Sequence, residues 1–389
     1  RTGQFSVPFA EWNDRFRDTA RTFWLEDVDG GSDFGRISLQ EMSTRLCGSA
    51  DLFATEPGRG APASINFVSC HDGFTLTDLT RYRSKHNEAN GENNNDGSSV
   101  NHSANFGVEG VTDDPDVIAA REQAAMNMIG MLLLSLGTPM MLAGDEFRNT
   151  QDGNNNAYCQ DNDITWLKWD WMYSTNKTRE MRRLETVSRL VALRKSLDLY
   201  HHEDFFTRLT QLGLLKPSSR VQWFLPDGTT PMERDWFDLG VRSFTMRLLS
   251  NSEVDVCIVV NGTADDRTFR LPPDTHWTPK WCSAEINGRR AGHGTQVEEC
   301  DLNGDTTVWT QHVPDASETV LKMVKEVAMQ RTESSTENEA DTIKFAMPVT
   351  DHAANGTSSA PRDEVSADMP DAPVDDTPDT PVDDNVWTM

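Results

Sequence analysis

Residues 65–73 read Ile-Asn-Phe-Val-Ser-Cys-His-Asp-Gly, an apolar strand that runs directly into a histidine and a carboxylate. A carboxylate at the C-terminal end of a parallel strand is the layout of the rim of a β/α barrel, where the chemistry of such barrels takes place. A long loop rich in Asn, Glu and Gly follows over residues 85–97. Its many amide and carboxylate groups, without a Gly-rich phosphate turn or Cys/His metal spacing, favour a ligand made mostly of hydroxyl groups. The segment therefore predicts an α/β fold that binds sugars.

Predicted helices alternate with predicted strands on both sides of this strand, as in a β/α barrel. Apolar periodicity predicts helices over residues 11–24, 37–46, 119–136 and 180–195. Met140–Ala143 reads as a short buried strand that ends at Gly144-Asp145-Glu146. Strand, loop, helix and strand, with carboxylates after both strands, form the βαβ pattern of a parallel α/β fold.

A different pattern begins near Val221. Short segments with a period of two, such as Ser243–Leu248 and Val254–Val260, are bounded by turn residues and predict the antiparallel strands of a β-sandwich. We therefore expect a second domain over residues 206–326. Beyond it, residues 327–389 are poor in aliphatic side chains and rich in Pro, Asp, Ser and Thr, which predicts a disordered acidic tail.

Composition narrows the classes of partner and compartment. The net charge of −26 argues against nucleic acid, because neutralising phosphates needs clustered Lys and Arg. The six cysteines form no CxxC pair and no signal peptide or transmembrane run is visible, so we expect reduced thiols, a cytoplasmic location and no membrane partner. No cofactor motif is present. The segment Asp301–Asp305 lacks the Gly and the acid that an EF-hand needs at its sixth and twelfth positions, so we expect no metal.

Several segments resemble the isoamylase-type glycogen debranching enzymes of the α-amylase superfamily, glycoside hydrolase family 13. The matching segments, in the order of the family, are Phe9–Asp18, His71–Leu76, Lys85–Glu92, Gly144–Phe147, Gly153–Asn162, and Trp223 with Pro226–Gly228. The resemblance implies hydrolysis of α-1,6 branch linkages in glycogen or its limit dextrins by a retaining mechanism. Two carboxylates then flank the glycosidic bond, and a third binds sugar hydroxyls. The resemblance does not include the tail.

The resemblance also assigns roles to single residues. Asp72 matches the carboxylate that stabilises the transition state, and His71 matches the imidazole that hydrogen-bonds the same sugar. Asp145 and Glu146 either line the sugar cleft or bond to backbone amides and Arg side chains of the barrel rim. Tyr158 either stacks on a pyranose face or packs inside the protein. Asp72 is therefore the candidate catalytic residue, and the candidates for substrate binding are His71, Asp145, Glu146 and Tyr158.

No segment matches the nucleophile Asp or the acid/base Glu, which the family carries on strands four and five. Glu56-Pro57-Gly58 is only an echo of the latter, in the wrong place. We therefore expect residues 1–205 to form the C-terminal half of a (β/α)8 barrel, in a chain that is truncated at its N-terminus and inactive alone. A smaller departure is Arg148-Asn149, where the family usually has Gly and a basic residue.

Three hypotheses stay open at this point. The first is the glycogen-debranching α-1,6-glucosidase. A non-catalytic glucan-binding or interaction protein, whose acidic tail recruits an unidentified partner, is the second and accounts for the missing carboxylates. A transglycosylase is the third, because water and a sugar hydroxyl compete for the same glycosyl intermediate. Coding sequence upstream of Arg1 would discriminate the first hypothesis from the second.

Overall fold

A computed structural model describes the following residues of the chain: 2–25, 28, 36–54, 59–176, 178–201, 221–249, 255–272, 277–287, 299–303 and 306–310. The predicted acidic tail over residues 327–389 lies outside these described residues. The predicted second domain is described in part, from residue 221 to residue 310.

Three short strands run parallel in the N-terminal part. They are β1 (Glu11–Asn13), β2 (Ser64–Asn66) and β3 (Thr138–Pro139), and they lie side by side in that order. Trp12 pairs with Ile65, and Ile65 pairs in turn with Thr138. Sequential parallel strands need long crossovers, which here contain helices, so this part of the chain is α/β.

Buried polar side chains of β1 and β2 form hydrogen bonds with one another. The Asn13 side chain donates through Nδ2 to Ser64 Oγ at 2.8 Å, and Ser64 Oγ donates to Asn66 Oδ1 at 2.7 Å. All three residues have no exposed surface. Asn13 also accepts a hydrogen bond from the backbone N–H of Phe16 at 3.0 Å, so it caps the helix that follows β1. These contacts tie the short strands together despite their few ladder bonds.

The α-helices are α1 (Asp14–Leu25), α2 (Leu39–Leu46), α3 (Ala50–Phe53), α4 (Pro115–Leu134), α5 (Arg179–Ser196) and α6 (Glu233–Phe237). Short 3-10 turns cover Ala61–Ala63, Asp78–Thr80, Glu88–Asn90, Asp145–Phe147, Ala157–Cys159, Asp170–Tyr173, Asp198–His201 and Ser283–Asn287. Hydroxyl and carboxylate caps start the longer helices. The Ser38 hydroxyl accepts from Glu41 N at the start of α2. At the start of α4 the Asp114 carboxylate accepts from Asp116 N, and Pro115 is the first residue of the helix.

Helix α4 is the central helix of the core. Met126, Met128, Ile129 and Leu132 are all at most 2% exposed, and the helix packs against α1 and α5. Its length and apolar composition would suffice to cross a membrane, but 72% of that apolar window is buried inside the protein. This burial on several faces is the behaviour of a core helix.

The second part of the chain contains antiparallel strands. They are β4 (Val221–Phe224), β5 (Ser243–Leu248), β6 (Val256–Asn261), β7 (Asp266–Arg270), β8 (Thr278–Cys282), β9 (Glu299–Asn303) and β10 (Thr306–Thr310). One sheet has the order β4-β5-β6-β10-β8, and β7 pairs with β9 in another.

Strand β6 is buried on both faces. Val256, Ile258 and Val260 join the core cluster that also contains residues of α1 and α4. The alternate residue Val259 packs instead in a second cluster that includes Phe269 of β7. The five-stranded sheet is therefore covered on one side by the α/β part and on the other by the β7 segment.

Strand boundaries differ from the sequence prediction in the parallel part. Residues 11–13 form β1 instead of beginning the first helix, because they pair with β2. Strand β2 ends at Asn66, before the predicted end at Cys70. Strand β3 lies at Thr138–Pro139, whereas Met140–Ala143 is partly exposed and carries only one further ladder bond, from Met140 N to Asn66 O at 2.8 Å. Pairing partners, which periodicity does not show, set these limits.

Candidate functional site

His71 and Asp72 lie in the turn after β2 and are open to solvent. His71 Nε2 lies 3.3 Å from Asp72 Oδ2, and the two side chains are 69% and 76% exposed. The next residue, Gly73, has a φ of 85° with open space around the position of a Cβ, so the chain turns sharply here. The structure therefore brings the two predicted residues together with their polar atoms accessible.

An aromatic side chain of the neighbouring strand flanks this pair. The Trp12 ring of β1 lies 5.6 Å from the His71 ring at an interplanar angle of 70°, and the residue is 45% exposed. An exposed indole beside an imidazole and a carboxylate offers both an apolar face and hydrogen-bonding groups. The sequence predicts a helix over residues 11–24 and does not indicate that Trp12 lies on a strand next to β2.

Two buried charged residues hold the loops around the pair. Arg21 of α1 donates through Nε to Val68 O at 2.7 Å and through Nη1 to Asn101 O at 3.0 Å. Burial lowers the pKa of Arg21 to about 10, so it stays charged at neutral pH. Asp78 accepts hydrogen bonds from Thr150 Oγ1 and from Gln151 N, although burial raises the pKa of its carboxyl. The loops after β2 and β3 are thereby fixed to one another.

Asparagines of the two polar loops bond to each other. Asn87 Nδ2 donates to Asn155 Oδ1 at 2.9 Å, and Asn155 Nδ2 donates to Asn101 Oδ1 at 2.8 Å. Asn154 Nδ2 donates to Asn90 Oδ1 at 2.8 Å. Asn87, Asn101, Asn154 and Asn155 are at most 5% exposed. Buried amides that satisfy one another serve to hold these loops together.

This amide network reaches the backbone beside Asp72. Gly73 N donates to Asn155 O at 2.9 Å, so the turn that carries the His71–Asp72 pair is attached to the network. Gly97 packs so closely that a Cβ there would lie 2.3 Å from Asn155 Oδ1. Sequence reasoning missed Asn155 as a positioning residue, because a run of asparagines shows loop composition and not which amides are buried.

The Asp145 carboxylate faces the protein interior. It accepts hydrogen bonds from Ser69 Oγ and from Leu76 N, the latter at 3.0 Å, and the residue is 2% exposed. Burial raises the pKa of Asp145 to about 6, against the opposing effect of these hydrogen bonds. Glu146 is partly buried and accepts from Gly144 N at 2.8 Å. Both acids thus bond to backbone amides, and their contact with a substrate stays a prediction.

Tyr158 stands out from the 3-10 turn Ala157–Cys159 and is 75% exposed. Its ring is therefore accessible and not packed in the core. Gln160 Nε2 donates to Ala89 O and to Asn90 Oδ1, both at 2.9 Å, and so ties this turn to the loop after β2. Tyr158 is connected to the His71–Asp72 pair through these loops, and its stacking on a sugar stays a prediction.

Side chains that could bind a metal ion are dispersed over the described residues. No group of three or more His, Cys, Asp or Glu side chains lies close enough there to hold a metal ion. Asp301 and Asn303 belong to strand β9, while residues 304 and 305 lie outside the described ranges.

Similarity to known proteins is extensive, although no family model matches the chain. The chain is 39% identical over 302 residues to the glycogen debranching enzyme of Pectobacterium atrosepticum, which covers 77% of this chain and 41% of that enzyme. It is 41% identical over 250 residues to the glycogen operon protein GlgX homolog of Mycobacterium tuberculosis, covering 63% of this chain and 32% of that protein. The chain thus spans about two fifths or less of the length of these curated relatives.

Solved structures show the same fold. The pullulanase of Anoxybacillus sp. LM18-11 matches with a TM-score of 0.51 at 18% identity, over 80% of this chain and 35% of that chain. The apo pullulanase of Paenibacillus barengoltzii matches with a TM-score of 0.51 at 16% identity, over 77% and 38% of the two chains. At this level of identity the likeness concerns the fold.

Proposed function

We propose that this chain, a member of the glycogen debranching enzyme family, contributes the branch-binding part of an α-1,6-glucosidase that acts on glycogen or its limit dextrins. The chain spans about two fifths of the length of its relatives. The observation that carries the proposal is the exposed His71–Asp72 pair, 3.3 Å apart, beside the Trp12 ring. A carboxylate, an imidazole and an indole face together suit a ligand with many hydroxyl groups and an apolar ring face.

In this proposal Asp72 stabilises the transition state of a retaining hydrolysis. Hydrogen bonds from sugar hydroxyls to Asp72, and from His71 to the same sugar, strengthen as the ring approaches the oxocarbenium ion. The amide network behind Gly73 keeps the pair in place before the substrate arrives, which reduces the entropy lost on binding. Tyr158 and Glu146 are assigned to the wall of the same cleft, and the buried Asp145 to the support of the loop beneath it.

We assign the nucleophile and the acid/base to residues outside these 389, because no segment of this sequence matches their motifs. We also assign β1–β3 to the C-terminal half of a (β/α)8 barrel and the antiparallel strands to a β-sandwich domain. The order β1-β2-β3 and the likeness to pullulanases support this architecture. The cytoplasm is the proposed location, based on the scattered cysteines, and cell fractionation tests it.

The test is kinetic and uses the chain joined to the preceding portion found in its relatives. Asp72→Asn should lower kcat on a branched limit dextrin by several orders of magnitude with an unchanged circular dichroism spectrum. Asp113→Asn, at an exposed acid before α4, is the matched control and should keep normal turnover. A near-normal rate for Asp72→Asn would exclude its proposed role. Analysis of the products separates hydrolysis from transglycosylation.

A non-catalytic glucan-binding protein is the second candidate, favoured by the lack of segments matching the two other carboxylates. Under both candidates the chain alone binds a branched dextrin, and Asp72→Asn weakens that binding. The candidates differ in the joined protein. Branch hydrolysis there supports the enzyme, whereas glucan binding without any turnover supports the binding protein.

A further inference from the structure

A cavity of about 330 Å³ opens between the loop after β3 and the start of α5. Its lining includes Arg81, Phe147, Arg148, Lys168, Asp170, Trp171 and Glu180. None of these residues belongs to the candidate glucan site described above. The volume lies within the range of roughly 300–1,000 Å³ that is typical of small-molecule pockets, near its lower end. One sugar ring with one charged group is a ligand of suitable size.

Three cations (Arg81, Arg148 and Lys168) and two carboxylates (Asp170 and Glu180) line this cavity, so its lining carries one net positive charge. Arg148 is neutralised, because Nε donates to Glu122 Oε1 at 2.6 Å and Nη1 donates to Glu180 Oε1 at 2.8 Å. The Arg81 guanidinium, in contrast, makes no hydrogen bond or ion pair with any side chain or backbone group in the described part of the chain. Lys168 lies exposed at the edge of the cavity. An acceptor with negative charge would complete this arrangement.

The electrostatic setting of Arg81 agrees with its geometry. Burial and, after it, the nearby Arg148 lower the pKa of Arg81, while Asp78 and Glu122 oppose this effect. Asp78 accepts from Gln151 N and Glu122 accepts from Arg148, so neither carboxylate bonds to Arg81. Arg81 and Arg148 thus lie close together, and of the two only Arg148 has carboxylate partners in the described part of the chain. A bound anion would lower the free energy of this cluster.

An indole donor in the same wall also lacks an acceptor. The Nε1 atom of Trp171 is buried and finds no hydrogen-bond partner within the described ranges. Its ring lies 5.4 Å from the Phe147 ring, which in turn lies 4.8 Å from the Trp169 ring. A buried N–H without a partner costs free energy, which the packing of these aromatic rings must offset.

We propose that this cavity is a binding site for a small phosphorylated sugar. The phosphate accepts hydrogen bonds from Arg81 and Lys168, because a guanidinium fork matches the oxygens of a phosphate. The sugar ring lies against the aromatic side chains of Phe147 and Trp171 in the cavity wall. Arg148, which replaces the Gly usual in the related family, forms part of the wall. The site goes beyond the proposed glucan hydrolysis and does not depend on it.

The experiment is calorimetric titration of the full chain with glucose 6-phosphate, glucose and inorganic phosphate. Glucose 6-phosphate should bind saturably and more tightly than either of its parts. Arg81→Met should weaken that binding roughly tenfold or more, because it removes a charged donor. Arg83→Met, at an exposed arginine two residues further on, is the matched control and should bind normally. Trp171→Leu removes one aromatic ring from the wall and should weaken binding of the sugar phosphate several-fold.

Thermal unfolding without ligand separates ligand binding from a structural role. Arg81→Met should keep or raise Tm, because it removes a partly buried cation that has no hydrogen-bonded partner in the described part of the chain. A marked fall in Tm for this variant would show that Arg81 holds the fold and would overturn the proposal. The proposal is equally overturned if glucose 6-phosphate does not bind, or if Arg81→Met binds it as the unaltered chain does. Inorganic phosphate that binds as tightly as the sugar phosphate would exclude the sugar.

Discussion

Glu122 of α4 and Arg183 of α5 form a buried ion pair, with Glu122 Oε2 lying 2.7 Å from Arg183 Nη2 and both side chains at most 6% exposed. The other oxygen of Glu122 accepts from Arg148 Nε at 2.6 Å. Burial opposes ionisation, but Arg183 and Arg148 hold the pKa of Glu122 below its ordinary value. Arg183 also donates to Thr77 Oγ1 at 3.2 Å. One carboxylate therefore joins two helices to the loops that follow β2 and β3.

Breaking this pair should destabilise the fold strongly. Arg183→Met leaves Glu122 buried with one of its two cations, and we expect the free energy of unfolding to fall by about 3–5 kcal/mol in urea titrations. Arg182→Met, at the exposed neighbour on α5, should change it by less than about 0.5 kcal/mol. The double variant Glu122→Gln/Arg183→Met should lose less than the sum of the single losses. Additive losses would mean that the two residues do not interact.

Arg148 adopts a left-handed backbone conformation, with φ of 71° and ψ of 33°. Arg148→Gly and Arg148→Ala both lose the ion pairs to Glu122 and Glu180, but only Gly accepts this conformation without strain. We expect the Gly variant to be more stable than the Ala variant by about 1 kcal/mol in urea unfolding. At Arg182, inside helix α5, the order should reverse, because Gly is a poor helix former there. Equal stability of the two Arg148 variants would argue against the left-handed backbone.

Asn155 is the amide whose loss should matter most for the polar loops. Asn155→Ala removes bonds to Asn87, Asn101 and Ser98 O and leaves buried groups without partners. We expect a loss of at least about 2 kcal/mol in the free energy of unfolding. Binding of a branched dextrin should also weaken, because the lost side-chain bonds position the Asn155 backbone carbonyl that accepts from Gly73 N. Asn176→Ala, at an exposed loop position before α5, should leave both quantities unchanged. Normal dextrin binding by Asn155→Ala would separate the network from the glucan site.

Asp145 should make stability depend on pH in a defined window. Burial raises the pKa of Asp145 from 3.8 to about 6, so the folded protein holds this proton more tightly than the unfolded chain. The resulting stabilisation is complete below pH 3.8 and is lost as pH rises through about 6. The stability of the unaltered chain relative to Asp145→Asn should therefore fall across this window, by at most roughly 1.4 kcal/mol per pH unit. Urea titrations at several pH values measure it, and a rise with pH would contradict the assignment.

Much of the secondary structure could be predicted from local pattern. The predicted helix over residues 180–195 corresponds to Arg179–Ser196, and the predicted strand Ser243–Leu248 has the predicted ends. These elements have strong periodicity and clear end signals, such as the Thr178 cap that accepts from Met181 N. Strands β1 to β3 were placed less well. They have two or three residues each, and pairing with a neighbour decides where so short a strand begins and ends.

In the candidate site, too, some features follow from the local sequence and others from contacts between distant segments. The adjacency of His71 and Asp72, and their place after a strand, could be read from the chain itself. The inward direction of the Asp145 carboxylate could not, because its partner Ser69 lies 76 positions away. Trp12 falls inside the helix predicted over residues 11–24, yet pairing of β1 with β2 brings its partly exposed ring beside His71. No local pattern records which distant segment comes to lie against a given side chain.

Residue order alone therefore established the α/β class, most helices, the period-two strands and the place of His71 and Asp72 after a strand. Each of these depends on side chains that are neighbours along the chain, where periodicity and turn preference act. The tertiary structure decided the partners of buried charges and amides, such as Glu122 with Arg183 over a separation of 61 residues. It also decided the Arg81 cavity. Burial and pairing depend on how distant segments pack, and the cost of an unpaired buried group makes that packing specific.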